Sequence, residues 1–232
     1  MRQLPLGVRL RDTARFASFV AGRNVEVATL LDGPPAAMPR VTWIWGREGT
    51  GKTHLLEAAC AAVAGRDGAA TYLDPSSGAE PGWLEGCEGL DLVCLDGLDG
   101  IASDEAWNAA LFRLYTLMQD GAARLVVASE APPASLAFRL PDLRSRLLAA
   151  SVHQLHELDD AGLCEALRLR AARRGLELSE EGALYLLHRL PRDMHTLCAV
   201  LDRLDEASLA ARRRLTVPFL RSVLGDQPAA GG

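Results

Sequence analysis

The sequence predicts an α/β protein, with a parallel five-stranded sheet covered by helices on both faces and a small all-helical unit behind it. Three observations carry this. A short apolar run, Val41-Thr-Trp-Ile-Trp45, passes straight into a glycine-rich turn and then a helical pattern. Four more short apolar runs alternate with helical patterns as far as Leu155. Past Asp159 no strand pattern returns, and Leu, Ala and Arg recur at helical spacing. Strands separated by helices pair in parallel, because a parallel crossover needs a helix-length connection, and their continuous apolar character fits burial on both faces. The organisation that follows is an extended arm over 1–12, an α/β domain over 13–157, a helical lid over 158–225 and a frayed tail over 226–232.

In chain order, residues 1–11 carry no helical period, and Pro5 interrupts the apolar tag Gln3-Leu4-Pro5-Leu6. That stretch reads as an extended arm, an edge strand or a loose start. Thr13–Leu31 holds Phe16, Phe19 and Val20, then a helix stopped by Gly33-Pro34-Pro35. The two Phe rings either lie beside a nucleotide base or belong to the core. After the first strand and its turn, residues 55–64 are Ala- and Leu-rich helix. The second strand is placed at 69–73 and the third at 90–95, ending in Asp96. A helix over 104–119 puts Trp107, Leu111, Leu114, Tyr115 and Met118 on one face. The fourth strand spans 124–128, a short helix 140–148, and the fifth strand 152–155. Four lid helices then start near Asp159, Ser179, Asp193 and Val217, with Gly175 stopping the first.

Composition narrows the class. At 232 residues the chain holds one large domain, or a medium and a small one. A net charge of −5 gives no field that would draw the whole chain to nucleic acid. Residues 159–225 carry 11 Arg against 10 acids, so the lid Arg groups read as solvated faces. The five Cys are scattered, odd in number and form no Cys-x-x-Cys pair, which fits reduced thiols in a cytoplasmic protein. No leader-like segment opens the chain, and no apolar run approaches membrane-spanning length, so no membrane contact is expected.

The chemistry centres on Gly46-Arg47-Glu48-Gly49-Thr50-Gly51-Lys52-Thr53, followed by His54, a complete Gly-x-x-x-x-Gly-Lys-Thr between strand and helix. Glycines let backbone N–H groups close around phosphate oxygens, and the following helix turns its positive end on the same phosphates. Lys52 supplies a point charge for the β and γ phosphates, and Thr53 a hydroxyl for Mg²⁺. Of the 25 basic residues Lys52 is the only Lys, standing where a flexible point charge suits the task. The expected ligand is ADP or ATP with Mg²⁺.

Asp96, at the end of an apolar strand downstream of this loop, is the expected second Mg²⁺ contact. A hydrolysing site of this kind carries another acid immediately after it, to orient water. Here that position is Gly97, and Asp99 lies two residues further on. The expectation is good nucleotide binding with weak intrinsic turnover, Asp99 remaining the open candidate for the missing acid. Glu130, just past the fourth strand, can look toward the γ-phosphate. Arg146, at the end of the short helix, is either an ordinary surface Arg or a residue that reaches a neighbour's site.

Together, Phe16-Ala-Ser-Phe-Val-Ala-Gly22, the Gly46–Thr53 loop with His54-Leu-Leu, the Asp96 strand, Leu140-Pro-Asp-Leu-Arg-Ser-Arg146-Leu and Thr216-Val-Pro-Phe-Leu resemble the DnaA-related AAA+ family, its short Hda-type members most of all. The resemblance covers essentially the whole chain. It implies a protein of regulatory inactivation of DnaA: nucleotide-bound, docked on the DNA polymerase III sliding clamp, and stimulating ATP hydrolysis by DnaA so that initiation is not repeated. By the motif match Gln3, Leu4, Pro5 and Leu6 enter the clamp, and Arg146 is an arginine finger acting in trans. The nucleotide set becomes residues 46–54 with Phe19, Asn24, Glu130, Arg192 and His195. The family carries an Arg where this chain has His195, with Arg192 one turn away. Nothing here matches the initiator's helix-turn-helix domain, so sequence-specific DNA binding is not expected, and self-association stays open. The alternative is a helicase-loader-type ATPase. Such a protein needs a helicase-binding domain ahead of the module, where only 40 residues precede Val41.

Overall fold

The computed structural model describes residues 14–192, 194–211 and 215–224. Gln3, Leu4, Pro5 and Leu6, and the tail 226–232, lie outside the described residues. The chain divides into two compact units between His156 and Glu157.

The first unit is the predicted α/β layer. Strands β1 (Val41–Trp45), β2 (Ala70–Leu73), β3 (Leu92–Leu95), β4 (Arg124–Ser129) and β5 (Ser151–Gln154) form one parallel sheet in the order β2-β3-β4-β1-β5. Helices α1 (Val25–Asp32), α2 (Lys52–Ala64), α3 (Glu105–Leu117) and α4 (Pro141–Leu148) complete it. Because side chains alternate along a strand, each central strand feeds two cores. Val41, Trp43, Val93, Leu95, Leu125 and Val127 join Leu111 and Leu114 of α3 and Leu143 and Leu147 of α4. Ile44, Leu92, Cys94, Val126 and Ala128 join Leu31 of α1 and Leu55, Leu56 and Cys60 of α2. So α2 and α4 lie on opposite faces of the sheet.

Boundaries differ from the sequence reading where side chains intervene. The third strand begins at Leu92, not Leu90, because the Asp91 carboxylate accepts from Ala69 N at 2.8 Å and closes the turn before the ladder starts. Helix α3 starts after Asp104, whose carboxylate accepts from Trp107 N, and ends at Leu117; a tight turn over Met118–Asp120 follows. The fifth strand is shifted one residue toward the N-terminus.

The second unit holds α5 (Asp160–Arg173), α6 (Glu180–Arg189), α7 (Met194–Ala211) and α8 (Val217–Leu224). Asp159 and Ser179 cap α5 and α6 by accepting from the N–H groups of Gly162 and Gly182. Gly175, at φ +73°, turns the chain out of α5. Leu167, Leu186, Leu197, Leu201, Leu204 and Leu220 form its core. Among the described residues no helix is long and apolar enough to cross a membrane.

Candidate nucleotide site

Parallel strands deliver their C-terminal ends to one edge of the sheet, where ligands of such sheets bind. Here β1 runs into the glycine loop, β4 into Glu130 and β3 into Asp96, and these three strands are sheet neighbours. The exit of β1 is tied to β4 by Gly46 N donating to Ser129 O at 3.2 Å. Below it, the buried Trp43 donates its indole N–H to Ser129 Oγ at 2.7 Å, and that hydroxyl donates to Ala131 O at 2.6 Å. The rigid floor sets where Glu130 emerges.

The loop has the backbone a phosphate cradle needs. Gly49 and Gly51 sit at φ +80° and +93°, open to glycine and strained for other residues. The Lys52 ammonium bridges Gly46 O at 2.6 Å and Arg47 O at 2.9 Å. Thr50 Oγ1 donates to Arg47 O at 2.8 Å, bracing the turn, while Arg47 and Glu48 are exposed at its tip. Burial pulls the Lys52 pKa below the ordinary lysine value, against the opposing charges of Asp96, Glu130, Asp99 and Glu48.

Thr53 and Asp96, 43 residues apart in sequence, meet at 2.6 Å through Thr53 Oγ1 and Asp96 Oδ2. Tyr72 on β2 donates to the same oxygen at 3.0 Å, and Gly97 N donates to Oδ1 at 2.9 Å. One hydroxyl and one carboxylate fit Mg²⁺, which keeps much of its coordination for phosphate and water. Among the described residues no cluster of three or more His, Cys, Asp or Glu could hold a metal ion. Thr53 and Asp96 would hold Mg²⁺, which would offset the charge of bound phosphates.

The residues around that pair are placed as follows. Gly97 is at φ +61°. The position that lacks the acid therefore also has a left-handed backbone, one in which a β-carbon is disfavoured. The Asp99 carboxylate accepts from Glu130 N at 2.7 Å and Ala131 N at 3.3 Å, bracing the exit of β4. Glu130 itself is exposed, and its charge acts on Lys52. Phe19 packs against the loop: a β-carbon on Gly51 would come within 2.8 Å of its ring. Its ring centroid lies 5.6 Å from that of His54, whose Nε2 lies 3.0 Å from Arg15 O.

Asn24 is engaged within the α/β unit. It is 3% exposed, its amide donates to His156 O at 2.8 Å and its carbonyl accepts from His156 N at 2.8 Å. Both ends of the side chain hold the backbone beyond β5. Arg192 and His195 belong to the second unit. Arg192 forms an exposed ion pair with Asp160 at 3.2 Å, and the side chain of His195 lies outside the described residues.

Arg146 is on α4, across the sheet from α2. Its guanidinium lies 4.6 Å from the Phe112 ring centroid and 5.2 Å from that of Tyr115, and donates to Thr116 Oγ1 at 3.2 Å. It forms no salt bridge with a described residue. Its support comes from Asn108, fully buried on α3. That amide donates to Ala102 O and Asp104 O at 2.8 and 2.6 Å and accepts from Arg139 N and Leu140 N at 2.9 and 3.3 Å. The entry to α4 is thereby pinned to the start of α3. Sequence reading passed over Asn108 and Tyr72. A polar residue inside an otherwise apolar helix face is the signal for Asn108. For Tyr72, one residue before the strand end, periodicity gives none.

Residues 159–224 match the family model described as "Hda, lid domain". Among solved structures, domain III of the replication initiation protein DnaA from Thermotoga maritima superposes with a TM-score of 0.75 at 19% identity, covering 94% of this chain and 98% of that one. AMPPCP-bound DnaA from Aquifex aeolicus gives a TM-score of 0.70 at 19% identity, over 89% of this chain and 70% of that one. The Thermotoga maritima RuvB Holliday junction branch migration motor gives 0.68 at 15% identity, over 93% and 72%. The chain shares the fold of these solved structures, and its residues 159–224 match the Hda lid model.

Proposed function

We propose that this chain is a nucleotide-bound regulator of replication initiation, which docks on the DNA sliding clamp and stimulates ATP hydrolysis by the initiator DnaA. The observation that carries the reading is a phosphate loop with a Thr53–Asp96 pair but no carboxylate beside Asp96, in a chain whose lid is of the Hda type. Such a site holds nucleotide and turns it over slowly. Gly97 offers no side chain, and Asp99 is held against the backbone N–H groups of Glu130 and Ala131. Residues 46–54 with Phe19 and Glu130 form the binding set, and Thr53 and Asp96 the Mg²⁺ side. The DnaA structure bound to AMPPCP supports adenine nucleotide as the ligand class.

Arg146 acts on the partner's nucleotide. It lies on the opposite sheet face from this chain's own P-loop helix, has no ion-pair partner among the described residues, and is held by aromatic rings that leave its charge intact. Gln3, Leu4, Pro5 and Leu6 supply the clamp contact: the Gln amide fixes register and the Leu side chains fill an apolar groove.

The test is hydrolysis of ATP by DnaA with this protein and DNA-loaded clamp added. The wild type is expected to accelerate it. Arg146→Ala should bind ADP and clamp normally yet give no acceleration, and Gln3→Ala/Leu6→Ala should lose clamp binding. An active Arg146→Ala variant removes Arg146 from the reading. Rapid turnover by the isolated chain, abolished in Asp99→Ala, would favour an autonomous loader-type ATPase.

A further inference from the structure

Tyr72 stands outside every motif of the site, yet reaches its centre. It is 9% exposed on β2, separated by two strands from the one that launches the glycine loop, and pairs in register with Cys94 of β3. Asp96, 7% exposed, receives three donors from three elements: Thr53 Oγ1 of α2 and the Tyr72 hydroxyl on Oδ2, and Gly97 N on Oδ1. A carboxylate oxygen has two lone-pair directions, so Oδ2 is filled by these two hydroxyls. We infer that Tyr72 is a positioning residue for the Mg²⁺ side of the nucleotide site, holding Asp96 so that the Thr53 hydroxyl keeps its proton on the carboxylate and its free lone pair toward the cation. The inference rests on the reading that this loop binds an Mg²⁺-nucleotide.

Two features make the phenol suited to this. First, a phenol carries its proton at neutral pH, so the Tyr72 hydroxyl stays a donor to Asp96 there. Second, with Oδ2 filled, a cation approaching Asp96 comes through Thr53, through water, or onto the remaining lone pair of Oδ1, and Thr53 is the route that the Tyr72 contact fixes. Without the phenol, Asp96 is held by one donor on each oxygen and can rotate about its terminal bond. The Thr53 proton then follows it, and the hydroxyl lone pair is no longer fixed.

The experiment is a fluorescence-anisotropy titration with a fluorescent ADP derivative, in excess Mg²⁺ and in EDTA. It uses the full chain as wild type, Tyr72→Phe, Asp96→Asn and the double variant. The readout is the ratio of Kd in EDTA to Kd in Mg²⁺. Tyr72→Phe preserves the ring, so the fold and the EDTA affinity should hold, while the ratio falls roughly three- to tenfold, a fraction of the worth of a hydrogen bond to a charged group. In the Asp96→Asn background the same substitution should lower the ratio no further. A ratio unchanged or raised in Tyr72→Phe overturns the inference. So does an equal loss of affinity in EDTA, which would make Tyr72 a packing residue. If the wild type shows no gain from Mg²⁺, this inference and the binding-site reading fall together. A wild-type gain that survives Tyr72→Phe sinks the inference alone.

Discussion

Replacing Asn108 by Ala removes a side chain that joins two elements, and its cost follows from the hydrogen bonds it makes. Asp104 O also accepts from Asn108 N at 3.0 Å, so that carbonyl stays partnered after truncation. The Leu140 N contact is long, at 3.3 Å, and faces a half-buried position. The bonds that matter are those to Ala102 O at 2.8 Å and from Arg139 N at 2.9 Å. Each contributes about 1 kcal/mol, and the Ala102 bond is fully buried, so leaving its acceptor unpaired adds about 1 kcal/mol more. Ala is the better helix former by roughly 0.5 kcal/mol, which opposes the loss. The net expectation is destabilisation by about 2–3 kcal/mol. All four Trp, at 43, 45, 83 and 107, lie in the α/β unit, so urea unfolding followed by Trp fluorescence reads that unit alone. A loss below about 0.5 kcal/mol would refute the claim that Asn108 anchors the entry to α4, since surface-like substitutions fall in that range.

Other outcomes follow from the same geometry. Lys52→Ala should lower ADP affinity at least roughly tenfold with little change in stability, since a half-buried charge at the glycine loop is removed. Because burial lowers the Lys52 pKa, rising pH removes its charge earlier than for an ordinary lysine; wild-type affinity should decline before pH reaches about 10.4, and Lys52→Ala should lack that limb. Gly97→Glu should cost about 1 kcal/mol of stability in urea unfolding, because the backbone there is left-handed. Thiol labelling of the native protein at pH 8 should consume one cysteine quickly, Cys198, which mass mapping can check. Cys87, whose pKa burial raises to about 11 with Glu88 adding to it, should stay unlabelled until the fold opens.

Much of this was legible along the chain because it depends on local pattern. Strand, glycine turn and helix follow one another without interruption over residues 41–64, so the phosphate loop can be read from sequence. The two-core sheet is legible too, since β1, β3 and β4 are apolar on both faces. The strand limits at Leu92 and Ser151 were missed by one or two residues, because a side chain such as Asp91 closes the turn and leaves no mark on hydropathy. The amide of Asn24 is used 132 residues away on the backbone of His156, a contact that no local pattern records.

By itself the sequence determined that a phosphate cradle exists, that an aspartate stands at the end of an apolar strand, and that no acid follows it. These are consecutive-residue facts, set by backbone chemistry over a few positions. Tertiary structure alone decided what surrounds them. The β2-β3-β4-β1-β5 order brings Tyr72 and Thr53 onto one oxygen of Asp96, turns Asp99 to the exit of β4, and sets Arg146 on two aromatic rings across the sheet from α2. Strand order is fixed by crossovers that span dozens of residues, and no periodicity within a strand records which neighbour it will take.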